Sequence, residues 1–117
     1  MFTSKSPEVV AWLAACQKLI TDYYTQNLPK LSIPTLSIDE GSKLLKIVKK
    51  EQEHEYGSAF AFIAKCDNFT KALGNVKAGD ILKVASFSQA AKGARGNLLD
   101  NHNGLGRMSA YGPEYNR

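Results

Sequence analysis

Residues 58–64, Ser-Ala-Phe-Ala-Phe-Ile-Ala, are apolar on both alternating sets of positions. A strand sends successive side chains to opposite faces, so a strand apolar on both is central in its sheet or covered on both sides. On strict alternation Phe60 and Phe62 share one face, and Ile63 joins Ala59 and Ala61 on the other. A covering layer is therefore required, and the N-terminal stretch supplies it. Ser6 as cap, Pro7 at the first helical position and Glu8 in the first turn mark a helix start. From there Val9, Leu13, Cys16, Ile20 and Tyr23 recur at helical spacing, and Trp12, Leu19 and Tyr24 widen the stripe. The helix is expected to end near Asn27 and to lie on a sheet.

Pro29 and Pro34 make residues 28–34 a linker. Thr35, Leu36, Ser37 and Ile38 alternate as a strand, and Asp39, Glu40, Gly41 and Ser42 form a turn. A lysine-rich strand follows over 43–50, with Leu45 and Ile47 on an apolar face and Leu44, Lys46 and Val48 on a mixed one. The charged tract 49–55, which includes His54, reads as a solvated hairpin end. Residues 67–78 read as a connection, with one helical turn over 68–73 that ends at Gly74 and Asn75. Gly79 and Asp80 then turn the chain into a strand over 81–87. One helix and four mostly antiparallel strands predict an α+β two-layer sandwich, with a strongly bent sheet approaching a half-barrel as the alternative.

From Gln89 periodicity fades, and five of the nine glycines fall between 93 and 112. Residues 1–88 are accordingly expected to form the domain and 89–117 an irregular, basic, glycine-rich tail. Leu98, Leu99, Leu105, Met108, Tyr111 and Tyr115 are anchors by which that tail packs on its own domain or on a second copy.

The net charge is +4, from fifteen Lys and Arg against eleven Asp and Glu. Residues 1–42 hold three cations and four anions, whereas Lys43, Lys46, Lys49 and Lys50 cluster, so one face is expected to be positive. No apolar run approaches the roughly 20 residues of a membrane span. The start of the chain shows no basic flank and apolar core of a secretory signal, which predicts a cytoplasmic protein. Cys16 and Cys66, fifty residues apart without a CxxC pair, read as reduced small hydrophobes.

Catalytic chemistry is thinly represented. His54 and His102 have no second metal ligand at suitable spacing, and Asp100, His102 and Asn103 read as a turn. No nucleophile-elbow, zincin or phosphate-loop motif occurs. The reading is thus a protein that is not an enzyme and needs no metal or cofactor. The stronger constellation is basic: Lys83 on the last strand, Lys92, Gly93, Arg95, Gly96 and Asn97 in a glycine-containing loop, and Arg107 in the tail. There, cations and close-approaching backbone are expected to hold phosphates, and Tyr111 and Tyr115 to offer stacking faces.

The C-terminal third, Gly-Asp-Ile-Leu-Lys-Val-Ala-Ser-Phe at 79–87, Ala-Lys-Gly-Ala-Arg-Gly-Asn at 91–97, and Ala-Tyr-Gly-Pro-Glu-Tyr at 110–115, resembles short uncharacterised proteins of tailed bacteriophages. That resemblance implies a phage accessory protein acting in the bacterial cytoplasm on host or phage macromolecules or on signalling nucleotides. The leading expectation is a non-catalytic protein binding an anionic ligand, nucleic acid or a nucleotide, through the basic loop. The alternative is a protein–protein module using the tail: an inhibitor of a host defence complex, or a virion component. Neither needs a membrane, and the tail offers a route to a homo-oligomer.

Overall fold

The computed structural model describes residues 1–51 and 57–113. Most of the charged tract read as a hairpin end, with His54, and Tyr115 lie outside the described residues. Helix α1 (Pro7–Asn27) is followed by β1 (Thr35–Glu40), β2 (Leu44–Lys50), β3 (Ser58–Ala64), the short β4 (Asn68–Thr70) and β5 (Gly74–Val76), β6 (Asp80–Ser86), β7 (Gln89–Asn97), and a last pair, β8 (Met108–Ser109) and β9 (Gly112–Pro113). The main sheet has the order β1-β2-β3-β6-β7, with every neighbouring pair antiparallel. The architecture is α+β, with five strands in the sheet rather than four.

Helix α1 lies on one face. Val9, Trp12, Cys16 and Ile20 are fully buried against Leu45, Ile47, Ile63 and Ile81, the aliphatic side chains among them each contributing about 1.5–3 kcal/mol by leaving water. Leu19, expected in the stripe, is 37% exposed at its margin. Ser6 precedes the helix in extended backbone, but its hydroxyl accepts the Thr3 N–H at 2.9 Å instead of capping the helix. Burial pushes the Cys16 thiol up to about 12, so it is inert at neutral pH. Gln17 fixes the linker: its amide nitrogen donates to the Pro34 carbonyl (2.8 Å) and its oxygen accepts the Leu36 N–H (2.9 Å), which sets where β1 begins.

Strand β3 is buried on both faces, but not by strict alternation. Ile47 of β2 faces Ala61 while Val48 faces Ala59, so Phe60 is an extra residue in β3. The bulge resets the pleat. Phe60 therefore joins Ala61 and Ile63 in the helix-side core, and Phe62 alone goes with Ala64, Leu82 and Val76 to the other face. Alternation had placed the two phenylalanines together.

Two further segments depart from the sequence reading. Residues 68–76 form the β4–β5 hairpin, not a helical turn; it covers the far face with Val76 and Leu73. Residues 89–97 form strand β7, paired with β6, so irregular chain begins after Asn97. Residues 98–113 then pack on the helix side, where Leu98, Leu105, Met108 and Ala110 join the core.

The N-terminal arm is tied down beside the β1–β2 turn by an ion pair. Glu40 accepts the Ser4 N–H at 2.8 Å and the ammonium of buried Lys65 at 3.1 Å, and Lys65 also donates to the Gly41 carbonyl. These bonds, that from Ser4 first and that from Lys65 next, hold the Glu40 carboxyl down at about 2 instead of 4.5. A depressed carboxylate stabilises the fold fully above its unfolded value and progressively less as it protonates. The denaturation midpoint is therefore expected to fall as pH drops from 4.5 toward 2, with a shallower fall over that window in Glu40→Gln. Urea titrations of both proteins across that range check it.

Candidate functional site

The glycine-containing segment expected to cradle an anion is a distorted edge of the sheet. Between the pairs Leu82–Ala94 and Val84–Ala90, four residues of β7 are spanned for two of β6, so residues 91–93 bulge out of the ladder. Gly93 takes φ 96° there, which an L side chain rarely adopts. Arg95 plugs the bulge: only 6% exposed, it donates from Nη1 to the carbonyls of Lys92 (3.0 Å) and Gly93 (2.5 Å). Burial, and then the neighbouring Arg107, lower its pKa. Two bonds of the Arg95 guanidinium thus go to its own strand, and the side chain is buried. Charge-assisted bonds of this kind contribute about 1.5–3 kcal/mol. Arg95→Met is expected to cost about 2 kcal/mol, read as a lower urea midpoint at unchanged m value.

The remaining members of the expected site are dispersed. Lys83 donates to the Pro113 carbonyl at 2.8 Å, on the side covered by the tail. Asn97 donates its amide to the Ala78 carbonyl and to Asp80, and Gly96 faces Gly104, so both join β7 to the turn at 97–104. In that turn the Asp100 carboxylate accepts the N–H groups of Gly104, Asn97 and His102, which lower its pKa in that order; Asp100, His102 and Asn103 are a turn, as read. Tyr111 is 69% exposed, but its hydroxyl bonds that of Tyr23 and its ring meets Tyr23 edge-on at 5.2 Å. Of the two loop cations Lys92 is the exposed one, and its side chain runs to the turn of β4 and β5, its Cε about 3.5 Å from where a Cβ on Gly74 would stand.

What the fold does assemble lies on the face away from α1. Lys46 sits beside Phe62 in the strand register, with Leu44 two residues away on the same face. Strand β6 runs with β3 only through Phe62 and Ile63, and its far half is partnered by β7. That hairpin brings Phe87 over β2, with the Lys46 ammonium 3.6 Å from the centroid of a ring that is 53% exposed. Such a contact contributes about 0.5–1 kcal/mol at an exposed site, and about half of the Phe87 surface stays accessible. Farther along, the β4–β5 hairpin presents Phe69, 66% exposed, and Lys71, with Lys92 against its turn. Between the β1–β2 turn and the β6–β7 turn lies an open cleft of about 360 Å³, lined by Leu44 and Phe62 and bordered by Asp39, Lys43, Lys46 and Ser88.

Residues 8–110 match the model of a family of unknown function, DUF7717. The chain belongs to that family. No curated protein and no solved structure matches it, so the roles of residues in this DUF7717 protein rest on its own geometry. The β2 lysines belong to the positive face expected from the sequence, whereas Phe87 and Phe69 have no place in that expectation. The available signal was an aromatic at each of two turns, Phe87 before Ser88 and Phe69 beside Thr70 and Lys71, where burial does not require one. Among the described residues, no helix of this DUF7717 chain is long and apolar enough to cross a membrane.

Proposed function

We propose that this chain is a small non-catalytic binding protein that takes single-stranded nucleic acid across the sheet face turned away from α1. The observation that carries it is the Lys46–Phe87 pair, an exposed ring with an ammonium fixed beside it. Single strands are bound by this combination: cations take the phosphates, and open ring faces stack bases without regard to pairing. The β4–β5 hairpin adds exposed Phe69 and Lys71, with Lys92 against its turn, as a further ring and two further cations. A duplex, whose bases are already stacked, gains nothing from the rings. The resemblance of residues 79–115 to tailed-phage proteins supports a phage accessory role in the host cytoplasm.

Fluorescence anisotropy with labelled single- and double-stranded oligonucleotides, titrated with salt, tests the reading. Single strands are expected to bind more tightly than duplex, with affinity falling steeply as salt rises. Absence of binding at low salt would refute it. A protein–protein role for the tail is the second reading, favoured by Leu99 and Tyr111, which stand 67% and 69% exposed. A partner or oligomer lost on replacing both by Ser, with single-strand binding absent in the parent protein, would select that reading.

A further inference from the structure

We infer that the cleft beside the Lys46–Phe87 pair receives one base of the bound strand and selects bases carrying an exocyclic amino group, with Asp39 as the acceptor. This rests on the nucleic-acid reading and gives it a specificity. At about 360 Å³ the cleft lies at the small-ligand end of binding-site volumes, the scale of a single nucleotide unit and not of several. Its lining joins an apolar surface, Phe62 and Leu44, to polar groups from two separate turns, Ser42 on one side and Ser88 on the other. A flat ring buried on the apolar surface therefore offers its edge to those turns.

Charge assigns the roles within the cleft. Glu40 also borders it, but its carboxylate is already engaged by the Lys65 ammonium and the Ser4 N–H. Asp39 is exposed at the rim and lies directly across from Lys46 in the strand pairing. The Lys46 ammonium lies over the Phe87 ring and, among the described residues, makes no ion pair with Asp39, so the Asp39 carboxylate faces the cleft. Lys43 and Lys46 at the mouth suit the phosphate of the same nucleotide. An ionised carboxylate accepts hydrogen bonds and cannot donate them. It accepts from the amino group of cytosine or adenine and is repelled by the carbonyl oxygen that thymine or uracil carries in its place.

The comparison of cytosine with thymine isolates this effect, because the two rings match in size. Short single-stranded oligo-dC and oligo-dT of equal length, measured by anisotropy at one salt concentration, are expected to differ by about tenfold in favour of oligo-dC. Asp39→Ala should bring the ratio close to one while leaving the salt dependence of both nearly as it was. Ser88→Trp, an exposed hairpin position from which an indole would fill the cleft, should do the same by excluding the base. Equal affinity of the parent protein for the two oligonucleotides, or a preference for oligo-dC that survives both substitutions, would overturn the assignment and leave the broader surface standing. Failure of either oligonucleotide to bind would remove the nucleic-acid reading, and the cleft assignment with it.

Discussion

Replacing Lys46 and Lys92 together by Glu is expected to weaken single-strand binding by about a hundredfold at moderate salt, with the fold intact. The two lysines come from separate parts of the sheet, β2 and the bulge of β7, and both lie on the face away from the helix. Each neutralised phosphate contributes about 0.7 to the slope of log affinity against log salt for a single strand, so loss of two contacts should flatten that slope by about 1.4. Reversal of charge adds repulsion to the lost contact. Neither side chain belongs to the buried core, so far-UV circular dichroism should match the parent, while the urea midpoint falls by the equivalent of about 1–2 kcal/mol, because Lys46 leaves the Phe87 ring and a carboxylate then stands across from Asp39. Phe87→Ala separates stacking from charge: it should cost about tenfold in affinity at nearly the same salt slope. A doubly reversed variant that binds like the parent would place the ligand elsewhere.

The largest loss of stability is expected at Gly112. Its φ is 104°, and a Cβ there would stand 2.7 Å from the carbonyl oxygen of Phe60, a backbone atom that cannot rotate aside. Strained backbone of this kind costs about 1–3 kcal/mol for a residue with a side chain, and the overlap must in addition lift β9 off β3. With β9 would go the bond from Lys83 to Pro113 and the burial of Met108 and Ala110. Gly112→Ala is therefore expected to lower stability by about 3 kcal/mol or more, measured by urea denaturation. Gly106→Ala is the control. Gly106 is exposed, and the nearest atoms to its added methyl belong to the His102 ring, so the change should stay within about 0.5 kcal/mol. Similar costs at the two positions would mean that the hairpin is not seated on Phe60.

The parts of this fold that were readable from sequence are those where one period runs unbroken. Helix α1 shows its stripe from Val9 to Tyr24, and β1 and β2 show alternation because Leu36 and Ile38, or Leu45 and Ile47, form one apolar row toward the helix-side core; β6 is legible from the turn before it, although Ile81 and Leu82 bury its two faces in different clusters. Strand β7 hid itself: with Gly93 and Gly96 at positive φ and residues 91–93 bulged, its side chains do not alternate, and a bulged strand resembles a loop when only its residues are known. Strands β4 and β5 are three residues each, too short for a period to register. Phe60 was placed on the wrong face because one inserted residue shifts every assignment beyond it. The candidate site was obscured for a related reason. Lysine and arginine in a glycine-rich run suggest a phosphate cradle, but the orphaned carbonyls of the bulge are themselves the partners of Arg95. The surface that remains is made by β2, the β4–β5 turn and the β6–β7 turn, whose adjacency is a matter of topology.

Backbone amide mapping by NMR, with ¹⁵N-labelled protein titrated with a short oligo-dC, most directly tests whether the ligand lies on the face away from α1. The largest shifts are expected at Lys46, Phe87, Ser88, Phe69 and Lys92, with α1 and residues 98–113 nearly unmoved. Shifts concentrated instead on Lys83, Arg107 and Tyr111 would place the ligand under the C-terminal segment, on the helix side, and would contradict it.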